Sequence, residues 1–181
     1  GKSVLMRSIL ALNRPQAGTI RLLGKDALSH DPASRAFIER NTGVLFQNAA
    51  LFSSLTVMEN VMVPLKEHST LPEDVMTELA MIKIRLAGLE PEAAYKLPAA
   101  LSGGMRKRAG IARALALEPE LLFLDEPFEG VDAVASRVLR DTLKQCVNRG
   151  ATVFLTSHVL EIVEKLCTDV GIIARGQMVH Q

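Results

Sequence analysis

The fold is decided by the stretch Leu121-Leu122-Phe123-Leu124-Asp125-Glu126. It is apolar without alternation and lies between Pro119 and Pro127, so it predicts a buried strand of a parallel sheet. Open α/β sheets bind their ligands at the carboxyl ends of such strands. We expect Asp125 to hold a cation and Glu126 to face a reacting water, because two adjacent carboxylates are costly to bury there without a cation. The alternative is an acidic pair that caps the next turn.

Upstream, the sequence Leu101-Ser102-Gly103-Gly104-Met105 predicts a glycine-rich turn that opens a helix. Ser102, Gly103 and Gly104 place a hydroxyl and bare backbone N–H groups at a helix start, which is an anion site. The alternative is a plain helix cap by Ser102. The Arg106-Lys107-Arg108 run that follows is interpreted as a solvated face, with attraction of phosphate as the secondary interpretation.

At the amino end, Gly1-Lys2-Ser3 matches the last residues of the phosphate-binding pattern G-x-x-x-x-G-K-[ST]. Gly1 permits close backbone approach, Lys2 would neutralise the β- and γ-phosphates, and Ser3 would bind Mg²⁺. Three residues alone are weak evidence against an ordinary surface lysine. Because the sequence starts at the last glycine of the pattern, we expect it to be a fragment that binds nucleotide weakly by itself.

Taken in order, these blocks resemble the ATP-binding cassette (ABC) family over essentially the whole chain. Residues 101–105 look like its signature sequence, and residues 121–126 look like its Walker B strand with the catalytic glutamate. Gln47 matches the Q-loop glutamine, Gly130-Val131-Asp132 the D-loop, and His158 the switch histidine. Met105 stands where the family most often has glutamine.

The resemblance implies an α/β fold: a P-loop NTPase (RecA-like) core with a parallel sheet and an inserted small helical subdomain. We expect one nucleotide-binding domain over residues 1–181. Its core would comprise residues 1–47 and 116–181, and its helical subdomain would comprise residues 48–115.

The resemblance also implies a role for each matching residue, with ATP and Mg²⁺ bound. The expected catalytic residues are Glu126, His158 and Gln47. The expected metal ligands are Ser3, Gln47 and Asp125. The expected ATP-binding residues are Gly1, Lys2, Ser3, Gln47, Ser102, Gly103, Gly104, Asp132 and His158. The signature residues would close the ATP site of a second cassette, with Asp132 at the seam of a head-to-tail dimer.

Composition and charge argue against a nucleic-acid-binding protein, a membrane-spanning protein and a disulfide-rich protein. The net charge is +1 with no basic block, which gives no indication of a nucleic-acid partner. The sequence contains no run of 18 apolar residues, so it predicts no membrane-spanning helix. Two widely spaced cysteines, Cys146 and Cys167, are expected to be buried and reduced. With the resemblance, this favours a cytoplasmic protein, peripheral on the inner face of the cell membrane.

The pattern along the chain alternates helices and strands, which implies βαβ units on a parallel sheet. Pro64 and Pro72 are interpreted as breaks, and Gly24-Lys25-Asp26 as a turn. The predicted helices cover residues 2–12, 34–40, 73–87, 102–117, 133–148 and 159–167. The predicted strands cover residues 19–23, 44–46, 121–125, 152–156 and 170–174.

The implied function is the ATP-hydrolysing subunit of an ABC transporter with a transmembrane permease as partner. Residues 44–68 are similar to Mce/Mla-type lipid transport ATPases, whereas residues 125–174 look more like exporter cassettes for drugs and other solutes. A translation-factor cassette is the non-transport alternative. Chromosome-maintenance cassettes fit poorly, because residues 48–101 carry no sustained heptads. The apolar residues 51–55, Met58, Val61 and Met62 predict a groove for a helix of the permease, or else ordinary core.

Overall fold

The computed structural model describes residues 1–180; Gln181, which ends the predicted domain, lies outside them. The helices are α1 Lys2–Ile9, α2 Pro32–Asn41, α3 Val57–His68, α4 Glu73–Leu86, α5 Gly103–Ala114, α6 Ala133–Asn148 and α7 Leu160–Leu166. The strands are β1 Arg21–Leu22, β2 Lys25–Asp26, β3 Thr42–Leu45, β4 Leu121–Asp125, β5 Thr152–Thr156, β6 Ile172–Ala174 and β7 Gln177–His180. The chain divides into two compact units: Arg40–Leu155, and Gly1–Glu39 with the segment from Thr156 onward.

A three-stranded sheet in the order β3-β4-β5 organises the larger unit. β3 and β4 run parallel, with Leu45 opposite Leu124, as the apolar run of β4 predicts. The rings of Phe123 and Phe154 pack 5.4 Å apart between β4 and β5. β4 is buried along most of its length, and its carboxyl end places the acidic residues Asp125 and Glu126 at the edge of the apolar core.

Three helices, α3, α4 and α5, pack on one another in the same unit. A capping box starts α3: the backbone N–H of Glu59 donates to Thr56 Oγ1, and the Glu59 carboxylate accepts from the backbone of Thr56. Pro64 lies inside α3, so its interpretation as a break was wrong. Burial of Val57 and Val61 offsets the intrahelical hydrogen bond that proline removes.

Small residues let α5 lie close against β3. A Cβ on Gly43 would collide with the Ala114 carbonyl oxygen, and a Cβ on Gly110 would lie 2.7 Å from Leu45 Cδ1. Only glycine fits at Gly43, because backbone atoms cannot move aside as a flexible side chain can. This packing fixes α5 against the sheet that carries Asp125.

The second unit contains α1, α2 and α7 together with two antiparallel hairpins, β1-β2 and β6-β7. Lys25 and Asp26 belong to β2, so the predicted three-residue turn is too long, and the chain reverses at Leu23 and Gly24. Residues 172–174 pair with β7 in a hairpin, not in the parallel sheet that the alternating pattern implied. Met6 is the buried anchor of α1.

Among residues 1–180, no helix combines the length and the apolar character that crossing a bilayer requires. Cys146 and Cys167 are free thiols, as the predicted reduced state requires, but they are partly buried and not buried as predicted. Burial raises the pKa of both thiols, which keeps them protonated at neutral pH.

Candidate active site

Asp125 and Glu126 lie together at the carboxyl end of β4. Asp125 is 3% exposed and Glu126 is 9% exposed, so both carboxylates are largely removed from bulk water. The parallel register of β3 and β4, with Leu45 opposite Leu124, brings Gln47 to the same edge of the sheet. Gln47 is solvent-exposed. The larger unit therefore unites three of the predicted site residues at one sheet edge.

The backbone of Glu126 turns sharply at the end of the strand. Its φ is +49°, a left-handed conformation that is uncommon for a residue with a Cβ. The backbone N–H of Glu129 donates to the Glu126 carbonyl oxygen at 3.2 Å, which closes a tight turn through Pro127. The direction of the Glu126 side chain depends on this turn.

Lys107 of α5 holds the same turn. Its ammonium donates to the carbonyl oxygens of Glu126 at 2.6 Å and of Glu129 at 3.1 Å. Lys107 is 7% exposed, so the prediction of a solvated face for residues 106–108 was wrong at this position. Burial lowers the pKa of Lys107, while the carboxylates of Glu129, Glu126 and Asp125 oppose that shift.

The predicted signature residues form the amino end of α5. Ser102 is the N-cap, and its Oγ accepts the Met105 backbone N–H at 3.2 Å. The capping alternative is therefore realised, yet Ser102 and Gly103 remain solvent-exposed and available to a further ligand. A Cβ on Gly104 would lie 3.2 Å from the Gly130 carbonyl oxygen.

That close approach brings the signature residues beside the segment Gly130-Val131-Asp132. Asp132 is the N-cap of α6 and accepts the Ala135 backbone N–H at 2.9 Å. This hydrogen bond lowers the pKa of the Asp132 carboxyl, and Arg108 adds a smaller effect in the same direction. The larger unit thus places the two motifs expected at a dimer seam next to each other.

The loop after Gln47 is held by Arg113, near the other end of α5. Ala49 and Ala50 have left-handed backbones with φ of +62° and +47°. The Arg113 guanidinium donates to both of their carbonyl oxygens at 2.8 Å. Its centre also lies 6.0 Å from the ring centroid of Phe52, in cation–π range. Arg113 was not among the predicted site residues, although a cation on a helix beside small residues was the available signal.

The apolar residues that were candidates for a docking groove belong mostly to the core. Met58, Val61 and Met62 are buried, whereas Phe52 is 52% exposed. The loop around Phe52 is fixed by buried Asn60, whose side-chain amide bonds the backbone of three loop residues. The exposed surface left for a partner is thus smaller than the sequence predicted and is centred on Phe52.

The remaining site residues belong to the other unit. Gly1 precedes α1, and its carbonyl oxygen accepts the N–H groups of Val4 and Leu5. The Lys2 ammonium donates to the Ser157 carbonyl oxygen at 2.8 Å, which brings Lys2 next to the segment that carries His158. Ser3 is partly exposed and His158 is solvent-exposed.

The predicted metal ligands offer a hydroxyl, an amide oxygen and a buried carboxylate. These are hard oxygen donors of the kind that Mg²⁺ prefers. The described side chains, those of residues 1–179, include no group of three His, Cys, Asp or Glu that could hold a metal ion alone. Gln47 and Asp125 lie in the larger unit and Ser3 in the other, and each offers an oxygen donor of the type that suits Mg²⁺.

Two relatives illustrate what the chain is similar to. It is 36% identical to the "Probable ribonucleotide transport ATP-binding protein mkl" of Mycobacterium leprae over 99% of its own length and 52% of that protein. It is 33% identical to the intermembrane phospholipid transport system ATP-binding protein MlaF of Haemophilus influenzae, over 100% of its length and 69% of that protein. The chain thus spans about half the length of the first relative.

A solved structure has the same fold. The chain superposes with a TM-score of 0.84 and 28% identity on a dimeric ATP-binding cassette bound to ADP and Pi in a post-hydrolysis state, covering 90% of this chain and 72% of that one. This confirms the predicted α/β class and the P-loop NTPase cassette fold. A family model described as ABC transporter matches residues 1–129, and the chain therefore belongs to the ABC transporter family.

Proposed function

We propose that this protein is the ATP-binding and ATP-hydrolysing subunit of an ABC transporter. The observation that carries the proposal is the buried pair Asp125 and Glu126, at the sheet edge that also presents Gln47. Such a pair provides one carboxylate for a cation and one for a water. Membership of the ABC transporter family supports the same chemistry.

Phosphate binding is assigned to the start of α1. Gly1 lets the backbone approach the phosphates, Lys2 neutralises their charge, and the positive end of the helix points at the same anion. To bind phosphate, Lys2 exchanges its hydrogen bond to the Ser157 carbonyl for one to a phosphate oxygen. Ser3, Gln47 and Asp125 would hold Mg²⁺, which offsets the negative charge of the reacting phosphates.

Hydrolysis is assigned to Glu126, Gln47 and His158. Glu126 orients the attacking water and accepts its proton, for which its low exposure is suitable because few other waters compete. Gln47 donates its side-chain amide to the water or the phosphate, and His158 contacts the γ-phosphate. The products are ADP and phosphate.

ATP-driven dimerisation is assigned to the exposed amino end of α5. Ser102, Gly103 and Gly104 would bind the γ-phosphate held by a second cassette, identical or homologous, and Asp132 would lie at the seam. The neighbouring positions of Gly104 and Gly130 support this assignment, since one surface then carries both motifs. Each ATP would be bound between two cassettes.

The two parts of the predicted domain would have different roles. Residues 1–47 and 116–181 would act as the RecA-like core, and residues 48–115 as the helical subdomain that meets a transmembrane permease on the inner face of the membrane. Exposed Phe52, on the loop fixed by Asn60, is the apolar contact proposed for the permease. Nucleic acid has no part in this function.

Phospholipid is the proposed cargo, supported by the match along 69% of MlaF. Residues 44–68, which carry Phe52, resemble the same lipid transport group. Reconstitution of the full-length protein with its permease, once a neighbouring permease gene has been identified, followed by transfer of labelled phospholipid between vesicles, measures this cargo directly. Transfer that depends on ATP supports phospholipid as the cargo. Transfer at the same rate with and without ATP contradicts it.

The catalytic assignment is tested by Glu126→Gln in the full-length protein. The amide keeps the shape of the side chain but cannot accept the proton, so the hydrolysis rate should fall by roughly 10²- to 10⁴-fold. ATP binding should remain, as measured by a fluorescent ATP analogue. Hydrolysis by this variant at the wild-type rate would show that Glu126 is misassigned.

A further inference from the structure

We propose that Lys107 is a positioning residue for Glu126, and that it links the helix carrying the signature residues to the hydrolytic carboxylate. The inference rests on the proposed role of Glu126 and adds a residue that no motif assigned. It concerns only the larger unit, in which α5 and β4 both lie.

The first support is the placement of a buried cation. Lys107 comes three residues after Gly104, on the face of α5 that also buries Ile111 and Ala114. An ammonium in such a place is unfavourable unless its donors are satisfied. Its partners are two main-chain carbonyl oxygens and, at 3.9 Å, the Glu129 carboxylate.

The second support is where those carbonyls lie. Glu126 and Glu129 are the two ends of the turn that follows β4, and Lys107 bonds both. The Glu126 carbonyl also accepts the Glu129 N–H, so both of its lone pairs are used. One ammonium thus closes the turn from the side that faces α5.

The third support is the conformation that the turn imposes. Glu126 has φ of +49°, and a left-handed residue with a Cβ persists only where its surroundings determine it. The direction of its Cβ, and hence of the carboxylate, follows from that backbone. Without Lys107 the Glu126 carbonyl loses one bond, and the backbone is free to relax to an ordinary conformation.

The same bonds connect two motifs. Lys107 is rigidly joined to Ser102 through less than two turns of α5, and Ser102 is proposed to meet the partner's nucleotide. A displacement of the amino end of α5 therefore reaches the backbone of Glu126 through one hydrogen-bonded side chain. Lys107 gives a direct physical route by which closure of the dimer sets the catalytic geometry.

The experiment uses Lys107→Met, which keeps the apolar stem and removes the donors, in the full-length protein. Lys83→Met is the matched control, because Lys83 is also a buried cation, with 5% exposure. Its ammonium donates to the Glu118 carboxylate at 2.6 Å and not to the turn after β4. We expect kcat of Lys107→Met to fall roughly 10- to 100-fold, since a small misplacement of a reacting group has that effect. KM for ATP should change less than about two-fold. The control should keep the wild-type kcat.

A double-mutant cycle separates positioning from general damage. If Lys107 acts through Glu126, Lys107→Met should not lower further the single-turnover rate of Glu126→Gln. Lys107→Gln, whose amide reaches fewer acceptors, should give an intermediate kcat. Should Lys107→Met fail to fold, as judged by circular dichroism, the Gln variant decides with the same readouts.

Several results would overturn the inference: a wild-type kcat in Lys107→Met, an equal loss in Lys83→Met, or multiplying losses in the Glu126→Gln background. If Glu126→Gln abolishes hydrolysis while Lys107→Met is unaffected, only the positioning role fails. If Glu126→Gln itself hydrolyses normally, the proposed function fails.

Discussion

Asn60 shows how one residue can hold a loop beside the site. It is fully buried on α3, and its amide donates to the carbonyl oxygens of Phe52, Leu55 and Thr56, while its carbonyl accepts the Phe52 N–H. Both N–H donors of the amide are used, one of them shared between two carbonyls, and the side-chain oxygen accepts one N–H. The exposed ring of Phe52 is therefore presented by a rigid loop.

Replacement of this residue, Asn60→Leu, should lower the free energy of unfolding by about 1–3 kcal/mol. The leucine leaves partly buried backbone groups of the loop without their side-chain partner, which costs about that amount. Urea unfolding followed by circular dichroism measures it. Asn148→Ala, at the exposed end of α6, is the control and should stay within about 0.5 kcal/mol of wild type. Equal stability of both variants would contradict the role of Asn60.

At the same scale, Lys107 explains why part of the site escaped prediction. Residue type alone cannot distinguish it from its neighbours Arg106 and Arg108, because all three are cations in one run. Helical spacing contains the missing signal, since Lys107, Ile111 and Ala114 share the buried face of α5. The carbonyls that Lys107 bonds lie some 20 residues away, and nothing local to the helix indicates them.

Among the elements, those with a single strong pattern were predicted well. β4, α6 and β5 have the expected bounds, because unbroken apolar runs and clear caps define them. α3 was missed because Pro64 is normally a break, and only burial against α4 and α5 compensates for it. β7 was missed because its hairpin depends on a pairing that its own residues do not indicate.

α5 bonds the backbone segments that follow both β4 and β3. Its Lys107 bonds the turn after β4, and its Arg113 bonds the left-handed residues Ala49 and Ala50 after Gln47. Close packing at Gly43 and Gly110 keeps the helix against the sheet. One rigid helix thus supports the backbone beside both Glu126 and Gln47.

Removal of the second contact by Arg113→Ala should lower the free energy of unfolding by about 1.5–3 kcal/mol, the usual range for hydrogen bonds to a charged group. Arg113→Lys should recover only part of the lost stability, because a single ammonium cannot reproduce the two guanidinium hydrogen bonds to Ala49 and Ala50. Guanidinium unfolding measures both. Arg106→Ala on the exposed face of α5 is the control. A stability of Arg113→Ala equal to that of the control would contradict the role given to Arg113.

For the whole molecule, the order of motifs alone predicted the fold class and the family. Six short blocks in one order are specific because each supplies a different part of one reaction. The division into two units and the antiparallel hairpins were not predictable in this way. They depend on pairings between segments whose own patterns are short and partly polar.

The proposed dimer requires Ser102 to be accessible at the surface of the molecule. Ser102 is satisfied as a helix cap and yet exposed, so it can serve α5 and a partner's nucleotide together. Asp and Asn are both good N-caps, but only Asp adds a negative charge. Ser102→Asp and Ser102→Asn therefore separate the capping role from the binding of phosphate.

The most direct measurement is the molar mass by light scattering of full-length Glu126→Gln, with and without ATP. The account predicts that ATP doubles the mass, that added Ser102→Asn preserves the doubling, and that added Ser102→Asp abolishes it through repulsion of the triphosphate. A molar mass that is the same with and without ATP would contradict a nucleotide bound between two cassettes. Equal dimerisation of the Asp and Asn variants would contradict it as well.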